Sequence, residues 1–130
     1  MRRRFLAAFL PMLGLVACQA PSATPPARSV VFFTADSAAL DENAATLVAE
    51  VAERAKARPS ATVRVRGFTA PDSGSVGFNR SLAETRARHV ADVLVAAGVD
   101  RSRIRLEPRG PVAFELMPTE SRRVEILVGD

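Results

Sequence analysis

The sequence is short of the residues on which several classes of protein depend. Cys18 is its only cysteine, so no disulfide can form within the chain. Trp and Tyr are absent, which removes side chains that commonly stack on nucleic-acid bases. His89 is the single histidine and has no cysteine near it, so the sequence predicts a surface residue rather than a metal site. No Ser/His/acid or Cys/His set is apparent, and we expect a protein that is not an enzyme and needs no cofactor.

Charge also argues against a nucleic-acid partner, despite a pI of about 10.9. Three of the 18 basic residues, Arg2, Arg3 and Arg4, lie in a segment that we expect to be removed. The other 15 stand against 14 acidic residues, which lowers the net charge from +4 to +1. No basic patch remains. The length of 130 residues suits one domain and hardly two.

Residues 1–17 are predicted to be a lipoprotein signal peptide. Their basic start precedes an apolar run, residues 5–17, that is too short to span a bilayer as a helix. The run ends in Leu-Val-Ala-Cys, which resembles the lipobox of bacterial lipoproteins. That resemblance implies cleavage before Cys18 and its acylation, with palmitate as a typical acyl chain, and Gln19 then favours the outer membrane. An ordinary secretory signal or a buried helix is the alternative, and the arginines leave Sec and twin-arginine export open.

The remaining chain divides into a tether and one folded domain. Residues 18–29 contain Pro21, Pro25 and Pro26 among small residues and are predicted to be an extended tether. Residues 30–130 are predicted to form the domain. Apolar runs and alternation predict strands at residues 30–33, 62–66, 103–107 and 123–128. Helical spacing predicts two helices between the first three strands. The fold class is therefore α/β, a β-α-β-α-β-β mixed sheet with two helices packed against it.

Capping residues set the predicted helix boundaries. Asp41 is the predicted N-cap of the first helix, which Pro59 ends. Asn79 or Ser81 is the predicted N-cap of the second helix, which Gly98 ends. Between the last two strands, residues 111–121 are predicted to be irregular, with apolar side chains that cover the core: Phe114, Leu116 and Met117.

The turn between the second strand and the second helix carries the most informative polar residues. Residues 67–75 are rich in Gly, Pro, Ser and Asp and contain an acid, Asp72. The helix that follows contains a base, Arg86. A polar loop that faces a helix N-terminus at the end of a strand commonly holds a small charged ligand. We therefore predict a binding site here.

Several motifs, in order, resemble those of the OmpA-like peptidoglycan-binding domain, the family that includes the Pal lipoproteins and the C-terminal part of MotB. The opening match is residues 31–37 with Leu40. The central match comprises Gly67-Phe68-Thr69, Gly74, Asn79, Leu82 and Arg86, and the final match is residues 122–126. The resemblance covers residues 30–128 and implies non-catalytic binding of the diaminopimelate residue of the peptidoglycan stem peptide.

The resemblance also implies which residues bind. Diaminopimelate ends in an ammonium beside a carboxylate, and the position of Arg86 matches the arginine that binds this carboxylate in the family. Backbone amides at residues 34–36 and near the second helix would complete the pocket. The full predicted set is Thr34, Ala35, Asp36, Thr69, Asp72, Asn79, Leu82 and Arg86.

This sequence departs from the family pattern at the acid. The family has Asp directly after the Gly-aromatic-Thr triplet, where this chain has Ala70, and the nearest acid is Asp72. Asp72 is either the substitute ligand or part of a plain turn. Arg86 is either the ligand fork or a surface helix residue paired with Asp36, which we otherwise expect to form a turn. Ser121 replaces the usual asparagine before the double arginine.

These features predict an outer-membrane lipoprotein whose periplasmic domain binds peptidoglycan and links the membrane to the cell wall. Two alternatives are open. The same fold could have a degenerate site and act as an interaction module for other envelope proteins, or the protein could be an enzyme that acts on peptidoglycan.

Overall fold

The computed structural model describes residues 27–71 and 74–129. The signal peptide, Cys18, residues 18–26 of the tether, and Asp72 lie outside the described residues. In chain order, the elements are β1 (Ala27–Phe32), α1 (Glu42–Lys56), β2 (Val63–Thr69), α2 (Val76–Ala96), β3 (Ile104–Pro111) and β4 (Arg123–Val128). Short 3-10 helices cover Arg101–Arg103 and Pro118–Ser121. The predicted order of strands and helices is confirmed.

The strands form one mixed sheet in the order β1-β4-β2-β3. β2 and β3 are parallel and are connected through α2, whereas β4 is antiparallel to both β1 and β2. The last strand in sequence therefore occupies an interior position, and β1 and β3 form the edges. The mixed sheet predicted from the sequence is confirmed.

The core lies between the helices and one face of the sheet. Alternate residues of β2, Val63 and Val65, are fully buried, as strand geometry requires for a sheet covered on one face. Helices α1 and α2 supply the opposing side chains, among them Val48, Val51, Val90 and Leu94. Each such side chain contributes about 1.5–3 kcal/mol by leaving water. The core thus fixes α2 directly against β2.

Gly67 permits this close contact between β2 and α2. A Cβ atom at this position would lie 2.0 Å from the carbonyl oxygen of Ala83 and 3.2 Å from the Cβ atom of Ala87, both on α2. The first obstruction is backbone and cannot rotate away. Only glycine allows the helix to lie this near the strand.

Four predicted boundaries are wrong. β2 ends at Thr69 and not at Arg66, so the first three residues of the predicted loop are strand, and β3 ends at Pro111 and not at Glu107, because these two extensions pair with each other. β1 begins at Ala27, three residues before the predicted Val30, because residues 27–29 pair with β4 although they lack an apolar pattern. Helix α2 begins at Val76 with Ser75 as its N-cap, whose side chain accepts from the amide of Phe78. Asn79 is already helical, since its amide donates to the carbonyl of Ser75. The predicted cap of α1 is confirmed: Asp41 Oδ1 accepts from the Ala44 amide at 2.7 Å.

The expected cover of the core by residues 111–121 is also only partial. Phe114 is half-buried, whereas Leu116 and Met117 are 85% and 60% exposed. Glu120 accounts for this because its carboxylate accepts from the amides of Glu115, Leu116 and Met117. These bonds hold the segment in a turn whose apolar side chains point outward.

We expect Gly67→Ala to destabilise the domain by about 1–3 kcal/mol, because the added methyl group would force α2 away from β2. Urea denaturation measures the loss. Gly77→Ala is the matched control: it lies in the first turn of α2 with no atom nearer than 3.9 Å, so alanine should be neutral or stabilising by up to about 1 kcal/mol. Equal unfolding midpoints for the two variants would contradict the close contact.

Candidate functional site

The guanidinium of Arg86 lies where α2 meets the loop after β1 and the end of β2. The side chain is fully buried. Its Nε donates to the carbonyl of Ser37 at 2.7 Å, Nη2 to that of Thr34 at 3.0 Å, and Nη1 to that of Phe68 at 3.1 Å. The guanidinium carbon also lies 5.1 Å from the centre of the Phe33 ring. Arg86 thereby connects the loop after β1 to the strand that precedes the predicted binding loop.

Helix α2 places Arg86 on its buried side. Ala83, Ala87 and Val90 precede and follow it at helical spacing and are all fully buried. A charge on this side is stable only if its donors find acceptors, because a buried charge without hydrogen bonds is costly. The three carbonyls meet this requirement for part of the donor fork, with one bond to each of its nitrogens.

The local electrostatics around Arg86 combine two cations and one anion. The pKa of Arg86 is lowered to about 10, mainly by burial and also by the charge of Arg122, while the charge of Asp36 acts to raise it. Even at this value, the guanidinium carries its charge at neutral pH. The site is therefore a place of positive potential, which suits a carboxylate.

Two polar side-chain atoms beside this region have no hydrogen-bond partner within the described part of the chain. They are Oγ1 of Thr69, a residue that is 1% exposed, and Oδ1 of Asn79, a residue that is 3% exposed. Leaving such groups unpaired typically costs about 1–3 kcal/mol each. Thr69 ends β2 and Asn79 lies in the first turn of α2, so both flank the predicted binding loop.

The structure brings much of the predicted set together around Arg86. Thr34 supplies a carbonyl to it, and Ala35 and Asp36 are exposed in the same loop. Asp36 has a φ of 50°, a left-handed conformation that Asp tolerates, which confirms the predicted turn. Leu82 is half-buried one helical turn before Arg86. Asp72 lies outside the described residues, so its role stays a prediction.

The alternative interpretation of Arg86 as a surface residue is wrong, because its side chain is fully buried. Its binding role stays a prediction. His89, by contrast, is exposed as expected, and its Nδ1 lies 2.7 Å from the carbonyl oxygen of Ala38. Arg123 forms an ion pair within β4, with Nε 2.9 Å from Oε1 of Glu125.

A pocket of about 430 Å³ opens beside this cluster. It shares Thr34 with the predicted set but none of Thr69, Asn79 or Arg86, so it adjoins the site rather than coincides with it. Its lining combines aromatic and polar residues: Phe32, Phe33, Thr34, Ser37, Ala39, Leu40, Asp41 and Thr119. The pocket is large enough for a few residues of an extended peptide next to a terminal group held at Arg86.

The sequence did not predict several of the groups that surround Arg86 and line the adjoining pocket. The acceptors at Ser37 and Phe68 are backbone carbonyls, which any residue carries, so no side-chain pattern indicates them. Thr119 comes from a 3-10 helix far away in sequence and likewise has no local signal. Phe33 was predictable only as an apolar residue of the first strand.

Within residues 27–71 and 74–129, no group of His, Cys, Asp and Glu side chains is arranged to hold a metal ion. Neither helix in this part of the chain combines the length and the apolar character needed to cross a bilayer.

The sequence profile of the OmpA family matches residues 32–115, which begin at the last residue of β1 and include α1, β2, α2 and β3. The chain therefore belongs to the OmpA family. The structure resembles a solved peptidoglycan-associated lipoprotein from Burkholderia pseudomallei, with a TM-score of 0.70, 22% identity, and coverage of 76% of this chain and 88% of that one. This likeness shows a shared fold.

Curated relatives extend the comparison to sequence. The peptidoglycan-binding protein ArfA of Mycobacterium tuberculosis is 38% identical over 104 residues, which cover 75% of this chain and 32% of ArfA. The peptidoglycan-associated lipoprotein of Legionella pneumophila is 33% identical over 108 residues, covering 78% of this chain and 61% of the relative. The chain thus spans about a third of ArfA and a larger part of the lipoprotein.

We expect Arg86→Met to lower the free energy of unfolding by about 3 kcal/mol, because it leaves three carbonyls without their donor. Urea denaturation followed by circular dichroism measures this change. Arg88→Met on the same helix is the control; Arg88 is exposed and paired with Glu84, so its loss should cost at most about 1 kcal/mol. A midpoint for Arg86→Met equal to that of the control would refute the structural role.

Proposed function

We propose that this protein is an outer-membrane lipoprotein whose periplasmic domain binds peptidoglycan without catalysis and so links the membrane to the cell wall. The ligand is the diaminopimelate residue of the stem peptide. Arg86 binds its free carboxylate, and acceptors around the α2 N-terminus bind its ammonium. The domain uses no cofactor.

One observation carries this proposal: the charged donor Arg86 lies near buried polar groups that have no hydrogen-bond partner in the described fold. Three hydrogen bonds leave part of the Arg86 donor fork without an acceptor among the described residues. Nearby, Thr69 and Asn79 each bury a side-chain oxygen without a partner. A ligand with a carboxylate and an ammonium offers an acceptor to the first and donors to the others. The unpaired donors of Arg86 and the unpaired oxygens of Thr69 and Asn79 therefore match the two charged groups of a zwitterion.

Access to Arg86 requires a local change, since the side chain is fully buried without ligand. The loop at residues 34–37 is the element to move: Thr34, Ala35 and Asp36 are exposed, and two of its carbonyls hold the guanidinium. A carboxylate binds a guanidinium more strongly than a neutral carbonyl does. We propose that the ligand carboxylate displaces one of these carbonyls.

The relatives support the same function. ArfA is named for peptidoglycan binding and the Legionella lipoprotein for peptidoglycan association. Both similarities cover about three quarters of this chain, including the residues around Arg86. Because the chain is much shorter than ArfA, the proposal concerns the wall-binding domain and not the activity of the whole relative.

The second candidate function, an interaction module with a degenerate site, is favoured by one residue. Ala70 occupies the position of the family acid and is 2% exposed, so the fold encloses a methyl group where relatives of this type carry a carboxylate. The ammonium must then rely on Asn79 and the predicted ligand Asp72. Failure of the unaltered protein to bind cell walls would favour this candidate.

We expect Thr69→Val to raise stability and weaken wall binding at once. Valine keeps the shape of threonine but removes a buried hydroxyl that has no partner, so the free energy of unfolding should rise by about 1 kcal/mol. Loss of one hydrogen bond to a charged ligand should weaken binding about tenfold. Co-sedimentation with diaminopimelate-type sacculi measures binding, and urea denaturation measures stability. Arg86 variants cannot make this distinction, because they also disturb the fold.

Thr46→Val on α1 is the matched control, since its hydroxyl is exposed and bonded to the carbonyl of Glu42. It should leave binding unchanged. Undiminished pelleting of a stabilised Thr69→Val protein would remove Thr69 from the site, and release of soluble muropeptides would point to the enzyme instead.

The lipid anchor is tested separately at Cys18. We expect Cys18→Ser to abolish incorporation of a palmitate analogue and to leave the precursor uncleaved, because the thiol is the acylated group in lipoproteins. Metabolic labelling followed by membrane fractionation measures both. Labelling of the Cys18→Ser protein at the level of the unaltered one would contradict the anchor.

A further inference from the structure

A row of arginines crosses the face of the sheet that the helices leave uncovered. Strand register aligns Arg28 of β1 with Leu127 of β4, Leu127 with Arg64 of β2, and Arg64 with Arg105 of β3. Because Val63 and Val65 point into the core, Arg64 and its cross-strand neighbours point to the opposite face. This row lies one register position from the end of the sheet at which β1 begins.

The acidic residues of this face are already engaged elsewhere. Glu125 binds Arg28 at 2.5 Å and Arg123 at 2.9 Å. Glu107 binds Arg66 at 2.7 Å, measured from Nε to Oε2, and Arg109 at 3.2 Å. These pairs compensate Arg28 at one end of the first row and the arginines beyond that row.

Arg64 and Arg105 make no ion pair within the described part of the chain, although they lie directly opposite each other on parallel strands. Like charges in this position destabilise a sheet. Moreover, Nε of Arg64 is buried and has no acceptor among the described residues. Two arginines in register on neighbouring strands, one with an unsatisfied donor, indicate that the fold holds them for an anion.

A pocket of about 360 Å³ lies at these two side chains and is lined by Thr62, Arg64, Arg105 and Glu107. The hydrogen bond from Arg66 holds the pKa of Glu107 below its usual range, so this carboxylate stays ionised and stays with Arg66 and Arg109. The two arginines and the Thr62 hydroxyl are thus the groups available to a ligand. Arginine forks match the oxygens of a phosphate group in a bidentate manner.

We propose that this pocket binds a phosphate group, and that a phospholipid headgroup supplies it. β1 begins at Ala27, nine residues after Cys18 and at the end of the sheet that carries the arginine row. Nine residues extend to roughly 30 Å at most. Acylation at Cys18 would therefore keep this end of the domain near the bilayer surface, where phosphate groups are concentrated. The pocket is separate from the wall-binding site and shares no residue with it.

Nuclear magnetic resonance of the full chain in a neutral maltoside detergent tests this proposal. Inorganic phosphate is titrated against sodium chloride of equal ionic strength, and short-chain phosphatidylglycerol is then added in place of phosphate. We expect saturable shifts of the amides of residues 62–66 and 104–107 with phosphate and with the lipid, but not with chloride. Shifts with phosphate alone would identify the free ion as the ligand of the same pocket.

The double variant Arg64→Gln/Arg105→Gln should weaken phosphate binding at least about tenfold, because it removes both charged donors. Arg88→Gln/Arg101→Gln removes the same charge from exposed, ion-paired positions and should leave the affinity unchanged. Absence of any phosphate-dependent shift, equal shifts with chloride, or equal affinity of the two double variants would overturn the proposal. None of these results bears on sacculus binding, which distinguishes this failure from failure of the wall-binding function.

Discussion

One buried guanidinium joins the parts of this domain that surround its candidate site. Arg86 draws the loop after β1 and the end of β2 toward α2 through three carbonyls, and a charge at that depth is tolerable only because they surround it. The contact presupposes that α2 lies close to the sheet, and Gly67 is what allows it. The absence of a side chain at Gly67 thus allows α2 to lie close enough to the sheet for Arg86 to reach its carbonyl acceptors.

In the same region, some buried polar groups have hydrogen-bond partners and others have none among the described residues. Arg86 donates to three carbonyls of the protein, whereas Thr69 and Asn79, on either side of the predicted binding loop, bury oxygens that the described fold leaves unpaired. A protein selected for stability alone would replace such groups with apolar ones of equal shape. Their retention is understandable if a ligand completes them, since binding sites are where natural sequences most often break the rules of folding.

Much of the fold was predictable because its signals are local. The alternation around Val63 and Val65 predicts a strand with one covered face, and the short side chain of Asp41 marks a helix start. The strand boundaries that failed depend on partners distant in sequence; residues 27–29, for example, are a strand only because β4 pairs with them. The start of α2 failed for a local reason, because Val76, Gly77 and Phe78 after the Ser75 cap show no helical pattern. The family motifs drew attention to the residues around Arg86, whose binding role stays a prediction, but the burial of Arg86 was not predictable, because its acceptors are backbone atoms with no trace in the sequence.

The position of β4 has a consequence for how the chain acquires its structure. β4 follows β1 and β2 in the sequence and is the strand to which both of them pair, so an emerging chain cannot assemble this sheet until β4 has been made. Such a requirement delays the long-range contacts of the sheet. For the exported lipoprotein proposed above, that delay would keep the domain open for transport through a membrane until β4 has passed.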